Sequence, residues 1–255
     1  MSPSRIHLAF VVLIGSFCFG QTTYDYDIYK KGELSLPYRI LLPKNFQKDK
    51  KYPLLVFLHG AGERGVDNEL QLMHGSSLFL ENSFREKHPA IVVFPQCPKG
   101  GYWATVLSRE GPRKFIFSEK PKNNPQLNLV EGLLRALQKK YRIDKKRIYL
   151  GGLSMGAMGT FELVYRNPRK FAAAFAICGG ANPKIARKLR RPAWRIDHGD
   201  ADEVVPFEHS EIMAGALLEK NSSVLFNRYS SVNHNSWDNV FVDPAFLPWL
   251  FSQTK

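Results

Sequence analysis

Short runs of consecutive apolar residues recur from residue 52 onward, and each stops at a glycine or a polar residue. Residues 54–58 end at His59-Gly60, 91–94 at Pro95, 148–150 at Gly151-Gly152, 172–177 at Cys178-Gly179-Gly180, and 194–196 at Asp197-His198-Gly199-Asp200; residues 224–226 run on to Tyr229. Runs apolar on both faces belong to strands covered on both sides, as in a parallel sheet. The segments between them carry helical spacing. Residues 127–141 place Leu129, Leu133, Leu134 and Leu137 on one face. A second helix over 155–165 stops before Arg166-Asn167-Pro168, where proline forbids continuation. A third over 206–220 carries Ile212, Met213, Ala216 and Leu217. Strands alternating with helices predict a mostly parallel, doubly wound α/β sheet, and residues 24–42 predict an antiparallel hairpin at its edge.

Parallel sheets present functional groups at the carboxyl ends of their strands. Here those ends carry His59-Gly60, Gln96-Cys97, Ser154, Asp200 and Asp202, and His234. Gly152-Leu153-Ser154-Met155-Gly156 fits G-x-S-x-G, with an apolar strand leading in and a helix leading out. That setting turns a serine sharply out of the sheet, with its hydroxyl exposed above a helix N-terminus. The bland alternative is a helix-capping serine.

A serine hydroxyl needs a base to act as a nucleophile. Of the seven histidines, only His209 and His234 follow the acid candidates, as the chain order serine, acid, histidine requires. His209 falls inside the third helix, where it faces solvent or packs on the sheet. His234 sits in a polar turn just after the last strand, where a base reaches over the strand ends. The acid candidates are Asp197, Asp200, Asp202 and Glu203. Asp197 still belongs to the strand, and Asp200 opens the turn and bonds its own backbone. Asp202 stands one step further and is preferred over Asp200 and Glu203. Its role is to hold the imidazole tautomer and stabilise the imidazolium. The oxyanion donors expected are the backbone N–H groups of Met155 and Ala61, with Gly62 in reserve for the latter.

The chain of 255 residues is long enough for one α/β domain. Residues 1–20 are set aside as a signal peptide: Arg5 precedes a short apolar run over 8–14, and small residues stand before Gln21. Cleavage after Gly20 leaves a single catalytic domain over 21–255 and implies a secreted or periplasmic protein. A lipoprotein cysteine at Cys18 fits less well behind Ser16-Phe17. No other stretch reaches the length of a membrane helix. The net charge of +13 is spread over the chain without interleaved aromatics. It reads as solubility more than as a nucleic-acid surface. Cys97 and Cys178 read as two buried thiols at the ends of different strands.

Gly60-Ala61-Gly62-Glu63-Arg64-Gly65 also fits G-x-G-x-x-G after a strand, which by itself suggests a dinucleotide-binding oxidoreductase. That reading leaves the ordered Ser154, Asp202 and His234 unexplained. No metal-binding motif appears, so neither metal nor cofactor is expected.

The stretch from His59 to Gly65 with Asp67-Asn68, then Pro95-Gln96-Cys97-Pro98, the pentapeptide around Ser154, His198-Gly199-Asp200-Ala201-Asp202 with Val205-Pro206, and His234-Asn235-Ser236-Trp237-Asp238 occur in this order. Together they resemble secreted esterases of the α/β-hydrolase superfamily, in the branch of feruloyl and acetyl-xylan esterases and prolyl-oligopeptidase-like hydrolases, over roughly residues 33–251. The resemblance implies a triad of Ser154, Asp202 and His234, and oxyanion donors at Ala61 and Met155. It implies a carboxylic ester as substrate, including polysaccharide-linked acyl or feruloyl esters. A prolyl-oligopeptidase-like peptidase and a lysophospholipase or general carboxylesterase are the alternatives. Only residues 180–193 separate the fourth strand end from the next strand, too few for a large lid domain. Trp103, in the excursion over 98–126, and Trp237, beside the base, are the candidate substrate-contacting aromatics.

Overall fold

A computed structural model describes residues 23–109, 115–220 and 222–255; the signal-peptide expectation for residues 1–20 lies outside them. Among the described residues ten strands are present: β1 (Asp25–Lys31), β2 (Leu34–Leu41), β3 (Tyr52–Leu58), β4 (Ile91–Pro95), β5 (Val106–Arg109), β6 (Phe115–Phe117), β7 (Ile143–Leu153), β8 (Ala173–Ile177), β9 (Ala193–Gly199) and β10 (Val224–Tyr229). Eight form one sheet in the order β1-β2-β4-β3-β7-β8-β9-β10, and β5 with β6 forms a separate antiparallel pair. From β4 to β10 all neighbours run parallel, while β1, β2 and β4 pair antiparallel at one edge. This is the α/β-hydrolase arrangement. Every residue of β3, β4 and β8 is buried, as their unbroken apolar runs require. The last run behaves differently: β10 is an edge strand with half-exposed residues, so its apolar stretch is covered on one side only.

Among the described residues, eight α-helices cover the two faces. The sequence-predicted helices are α3 (Pro125–Lys140), α4 (Met155–Arg166) and α6 (Glu208–Leu218). Asn124 caps α3 by accepting from the Leu127 N–H, with Pro125 in the first turn. The start of α6 is two residues later than expected, because Pro206 accepts from the His209 N–H in a turn of its own. With α5 (Ala186–Leu189), these helices bury Leu133, Leu134, Phe161, Leu189, Met213 and Leu217 on one face. The opposite face is covered by α1 (Ser76–Leu80), α2 (Asn82–Lys87), α7 (Trp237–Val242) and α8 (Phe246–Ser252), which bury Phe79, Phe84, Val240, Phe246 and Leu250. Burial of each such side chain is worth about 1.5–3 kcal/mol.

The chain leaves β3 toward β4 on one side and leaves β7 toward β8 on the other. Such a reversal opens a crevice at the carboxyl ends of the two strands. The turns after β3 and β7 carry Ala61 and Ser154. The β5–β6 pair packs Phe115 and Phe117 against Met158 and Val205, beside this crevice. Among the described residues no helix is long and apolar enough to cross a membrane, and no large lid is inserted between β8 and β9.

Candidate active site

Ser154 stands between the last residue of β7 and the first of α4, with φ 52° and ψ −118°. A non-glycine residue at such angles is strained, and the surroundings must hold it there. Its N–H is bound by the Ile177 carbonyl. The two glycines of the pentapeptide allow the turn to sit against β3: a Cβ on Gly152 would stand 2.4 Å from the Leu58 oxygen, and one on Gly156 1.9 Å from it. Met155 is the first residue of α4, so helix geometry supplies no carbonyl partner for its N–H.

His234 and Asp202 come from different loops yet meet at Ser154. The His234 Nε2 lies 2.9 Å from Ser154 Oγ, and its Nδ1 lies 2.7 Å from Asp202 Oδ2. The other oxygen of Asp202, Oδ1, accepts from the Val204 and Val205 N–H groups. Burial alone would raise the Asp202 carboxyl. The hydrogen bonds from His198, His234 and the Val205 N–H overcome that and hold it well below the usual carboxylate range. Ser154 is 9% exposed and the His234 ring 18% exposed, while Asp202 is buried.

Two further residues stitch the loops together. Asn233 accepts the Glu203 N–H through its side chain, tying the histidine loop to the acid loop. Asp200 accepts the Ser231 N–H and pairs with Arg228. The Asp200 carboxylate also bonds its own backbone N–H, as expected of a residue opening the turn, and adds these partners from β10 and the next loop.

The turn after β3 is fixed by His59. Its Nε2 accepts the Cys97 N–H, so the ring proton is on Nδ1, which donates to the Gly60 carbonyl at 2.6 Å. Burial lowers the His59 pKa to about 4 and keeps this tautomer neutral. The Gly60 carbonyl and the Ala61 N–H belong to one planar peptide. Holding the carbonyl toward His59 aims the N–H the other way. A Cβ on Gly60 would lie 3.7 Å from Ser154 Cβ, which sets this peptide beside the serine. No α-helix opens directly after Gly65; the chain proceeds to a short 3₁₀ turn at Leu70–Leu72. The G-x-G-x-x-G segment therefore lacks the helix N-terminus that a pyrophosphate needs, and the dinucleotide reading is set aside.

The candidate aromatics separate. Trp237 is half-buried with its ring edge-on to His234, centroids 5.5 Å apart. Trp103 is fully buried, its ring 5.4 Å from that of His59 and its Cβ against Gly159. It is a core residue beneath the turn, which corrects its expected role as a pocket wall. His209 is also corrected: it packs on the Phe117 and Phe115 rings, not on the sheet.

Cys97 and Cys178 are free, buried thiols. Ligand atoms of Cys178, Asp202 and His234 lie within 4.8 Å of one another. Burial and the nearby Asp202 charge push the Cys178 thiol up, and Asp202 and His234 already bond each other, so this trio lacks the thiolate a soft metal requires.

Sequence reading gave no role to His59, Asn233 or His198. His59 and His198 open motifs quoted above and Asn233 precedes one, but only the folded chain shows what their side chains touch.

A solved thermostable esterase superimposes with a TM-score of 0.83 and 34% identity, covering 91% of this chain and 64% of that one. A ferulic acid esterase from Anaeromyces mucronatus, solved with ferulic acid, gives a TM-score of 0.66 at 17% identity, covering 91% of this chain and 90% of that one. The bifunctional acetylxylan esterase/xylanase of Neocallimastix patriciarum is 29% identical over 160 residues, which is 62% of this chain but only 20% of that protein. The chain thus spans about a fifth of the length of that curated relative. The family model described as phospholipase/carboxylesterase matches residues 45–244. The chain belongs to this phospholipase/carboxylesterase family of α/β-hydrolases.

Proposed function

We propose that the protein is a serine esterase that hydrolyses carboxylic esters through an acyl-enzyme. Ser154 is the nucleophile, His234 the general base and Asp202 the orienting acid. The observation that carries this reading is the unbroken chain of hydrogen bonds from Ser154 Oγ through His234 to Asp202.

The reaction proceeds in two halves. Ser154 Oγ attacks the ester carbonyl carbon as His234 Nε2 takes the hydroxyl proton. Asp202 stabilises the imidazolium that results. The carbonyl oxygen becomes an oxyanion, received by the N–H groups of Ala61 and Met155; one such donor is typically worth about 2.7–4 kcal/mol of barrier. The tetrahedral species collapses, the C–O bond to the leaving alcohol breaks, and the alcohol departs with the proton from His234. Water then attacks the acyl-serine by the same route in reverse and releases the carboxylic acid. The Trp237 ring beside His234 forms one wall for the substrate.

The natural substrate we favour is an acyl or feruloyl ester on plant polysaccharide. Similarity to an acetylxylan esterase/xylanase and the motif set read from the sequence support this choice. Residues 1–20 serve as a signal peptide in this reading, giving a secreted or periplasmic enzyme, and the catalytic domain covers residues 21–255.

Hydrolysis of p-nitrophenyl acetate by the wild type, with loss of activity and of fluorophosphonate labelling in Ser154→Ala, is the expected result. Full activity in that variant would overturn the reading. A panel of acetylated xylan, feruloylated arabinoxylan and lysophospholipid distinguishes the polysaccharide substrate from the lipid one. Fractionation and N-terminal sequencing of the expressed protein test export.

A further inference from the structure

His198 lies in β9, four residues before Asp202, and is fully buried. Its Nε2 is 3.0 Å from Asp202 Oδ2, the same oxygen that holds His234. That nitrogen is also 3.0 Å from the Val205 carbonyl oxygen. An ionised carboxylate and a carbonyl only accept, so Nε2 carries a proton. On the other side of the ring, Nδ1 is 2.6 Å from Ser210 Oγ. The Ser210 hydroxyl is itself 2.6 Å from the Gly179 carbonyl, to which it donates its single proton. The serine oxygen is then left to accept, and Nδ1 carries a proton as well. A ring with one proton would force one of these short contacts to join two acceptors.

We propose that His198 is a positioning residue of the active site, an imidazolium that shares the Asp202 carboxylate with His234. This rests on the triad reading above. Each oxygen of Asp202 then receives two donors: Oδ1 from the Val204 and Val205 N–H groups, Oδ2 from the two histidines. The carboxylate has no freedom to turn, so the His234 ring is held in one tautomer and one orientation. The positive charge of His198 is compensated by direct contact with Asp202, which lets it remain buried. Through Ser210 the assembly reaches the Gly179 carbonyl. Gly179 in turn packs against the first turn of α4: a Cβ there would lie 2.5 Å from Ala157 Cβ and 3.0 Å from the Ser154 carbonyl oxygen. Hydrogen bonds thereby link the acid loop and α6 to Gly179, which packs against the serine turn.

During catalysis His234 becomes cationic while His198 is cationic on the same carboxylate oxygen. The two rings then share one carboxylate oxygen, which fixes the position of each against the other. Other charged or titratable groups near this cluster are Glu208 and His209 of α6, Asp197 of β9, Cys178 after β8, and Arg228 of β10 over the Phe207 ring that His198 meets edge-on.

The direct test counts protons. In a long-range ¹H–¹⁵N spectrum of the ¹⁵N-labelled full chain at pH 7.5, the signals absent from His198→Gln should show both ring nitrogens in the protonated range. One nitrogen in the acceptor range would overturn the assignment. This readout needs no substrate, so it fails separately from the esterase reading, which fluorophosphonate labelling addresses. The second test is kinetic. His198→Gln should lower kcat for p-nitrophenyl acetate about 10- to 100-fold with KM nearly unchanged, as expected for loss of orientation at the base. Ser210→Ala removes only the outer acceptor and leaves Asp202 untouched; in the spectrum it should shift the Nδ1 signal of His198 and spare the Nε2 signal. An unchanged kcat in a folded His198→Gln would refute the positioning role.

Discussion

The carbonyl oxygen of Leu58, the last residue of β3, fills the space beside Gly156 of the serine turn; a Cβ on Gly156 would stand 1.9 Å from it. The height of Ser154 above the sheet is therefore set by how closely β3 and β7 approach. Gly156→Ala must push two backbones apart. Overpacking of this kind costs about 1–3 kcal/mol or more, because no flexible side chain can yield. We expect a lowered urea midpoint and at least a tenfold loss of p-nitrophenyl acetate hydrolysis. Wild-type stability with full activity would show that the turn has more room than this contact allows.

Asp202→Asn keeps the shape of the acid but turns an acceptor into a donor. The new amide cannot accept from His234 without turning away the Val204 and Val205 N–H groups. The base then takes the wrong tautomer. The expected loss in kcat is about 10³- to 10⁴-fold, with a small change in KM. Steady-state kinetics on p-nitrophenyl acetate measures it.

His59 links pH to stability. Its folded pKa is lowered to about 4 by burial, against about 6.5 in the unfolded chain. The folded state binds fewer protons in that window. The contribution of the neutral ring is thus fully present above pH 6.5 and is lost as pH falls toward 4, by about 3 kcal/mol in all. Urea unfolding at pH 7 and pH 4.5 should show a smaller drop for His59→Gln than for the wild type. The same variant should lose kcat, because the Gly60–Ala61 peptide is no longer held by the ring.

Arg195 is buried between two carboxylates, 3.0 Å from Asp197 and 2.7 Å from Asp243. Asp197 is fully buried, and its other partners are Asn227 and Tyr229. Arg195→Met leaves that carboxylate without its cation, a change that typically costs about 3–5 kcal/mol. Differential scanning calorimetry should record a fall in Tm of roughly 10 °C. Activity at low temperature should persist, since neither residue touches Ser154.

How much was legible in the sequence depends on the length of the pattern. β3, β4 and β8 are continuous apolar runs, and α3 repeats its leucines from 127 to 137 over about three turns, so both declare themselves locally. The helices α1, α2, α7 and α8 are five to seven residues long. Too few turns exist there for a period to emerge, and their order comes from packing Phe79, Phe84, Phe246 and Leu250 on the sheet. The β5–β6 pair is equally short and takes its place from Met158 and Val205. Trp103 misled for a related reason: an aromatic in a long excursion has the same composition whether it lines a pocket or fills the core.

The sequence by itself determined the alternation of strand and helix, the serine on a turn with glycines at both flanks, and the chain order of Ser154, Asp202 and His234. These follow from local sterics and from apolar periodicity, which a linear chain records. Only the tertiary structure decided which aspartate meets His234, that His59 governs the Ala61 peptide, and that His198 shares the Asp202 carboxylate. Those relations join residues brought together by strand order and loop closure, and hydrogen-bond direction is a property of space that no spacing along the chain encodes.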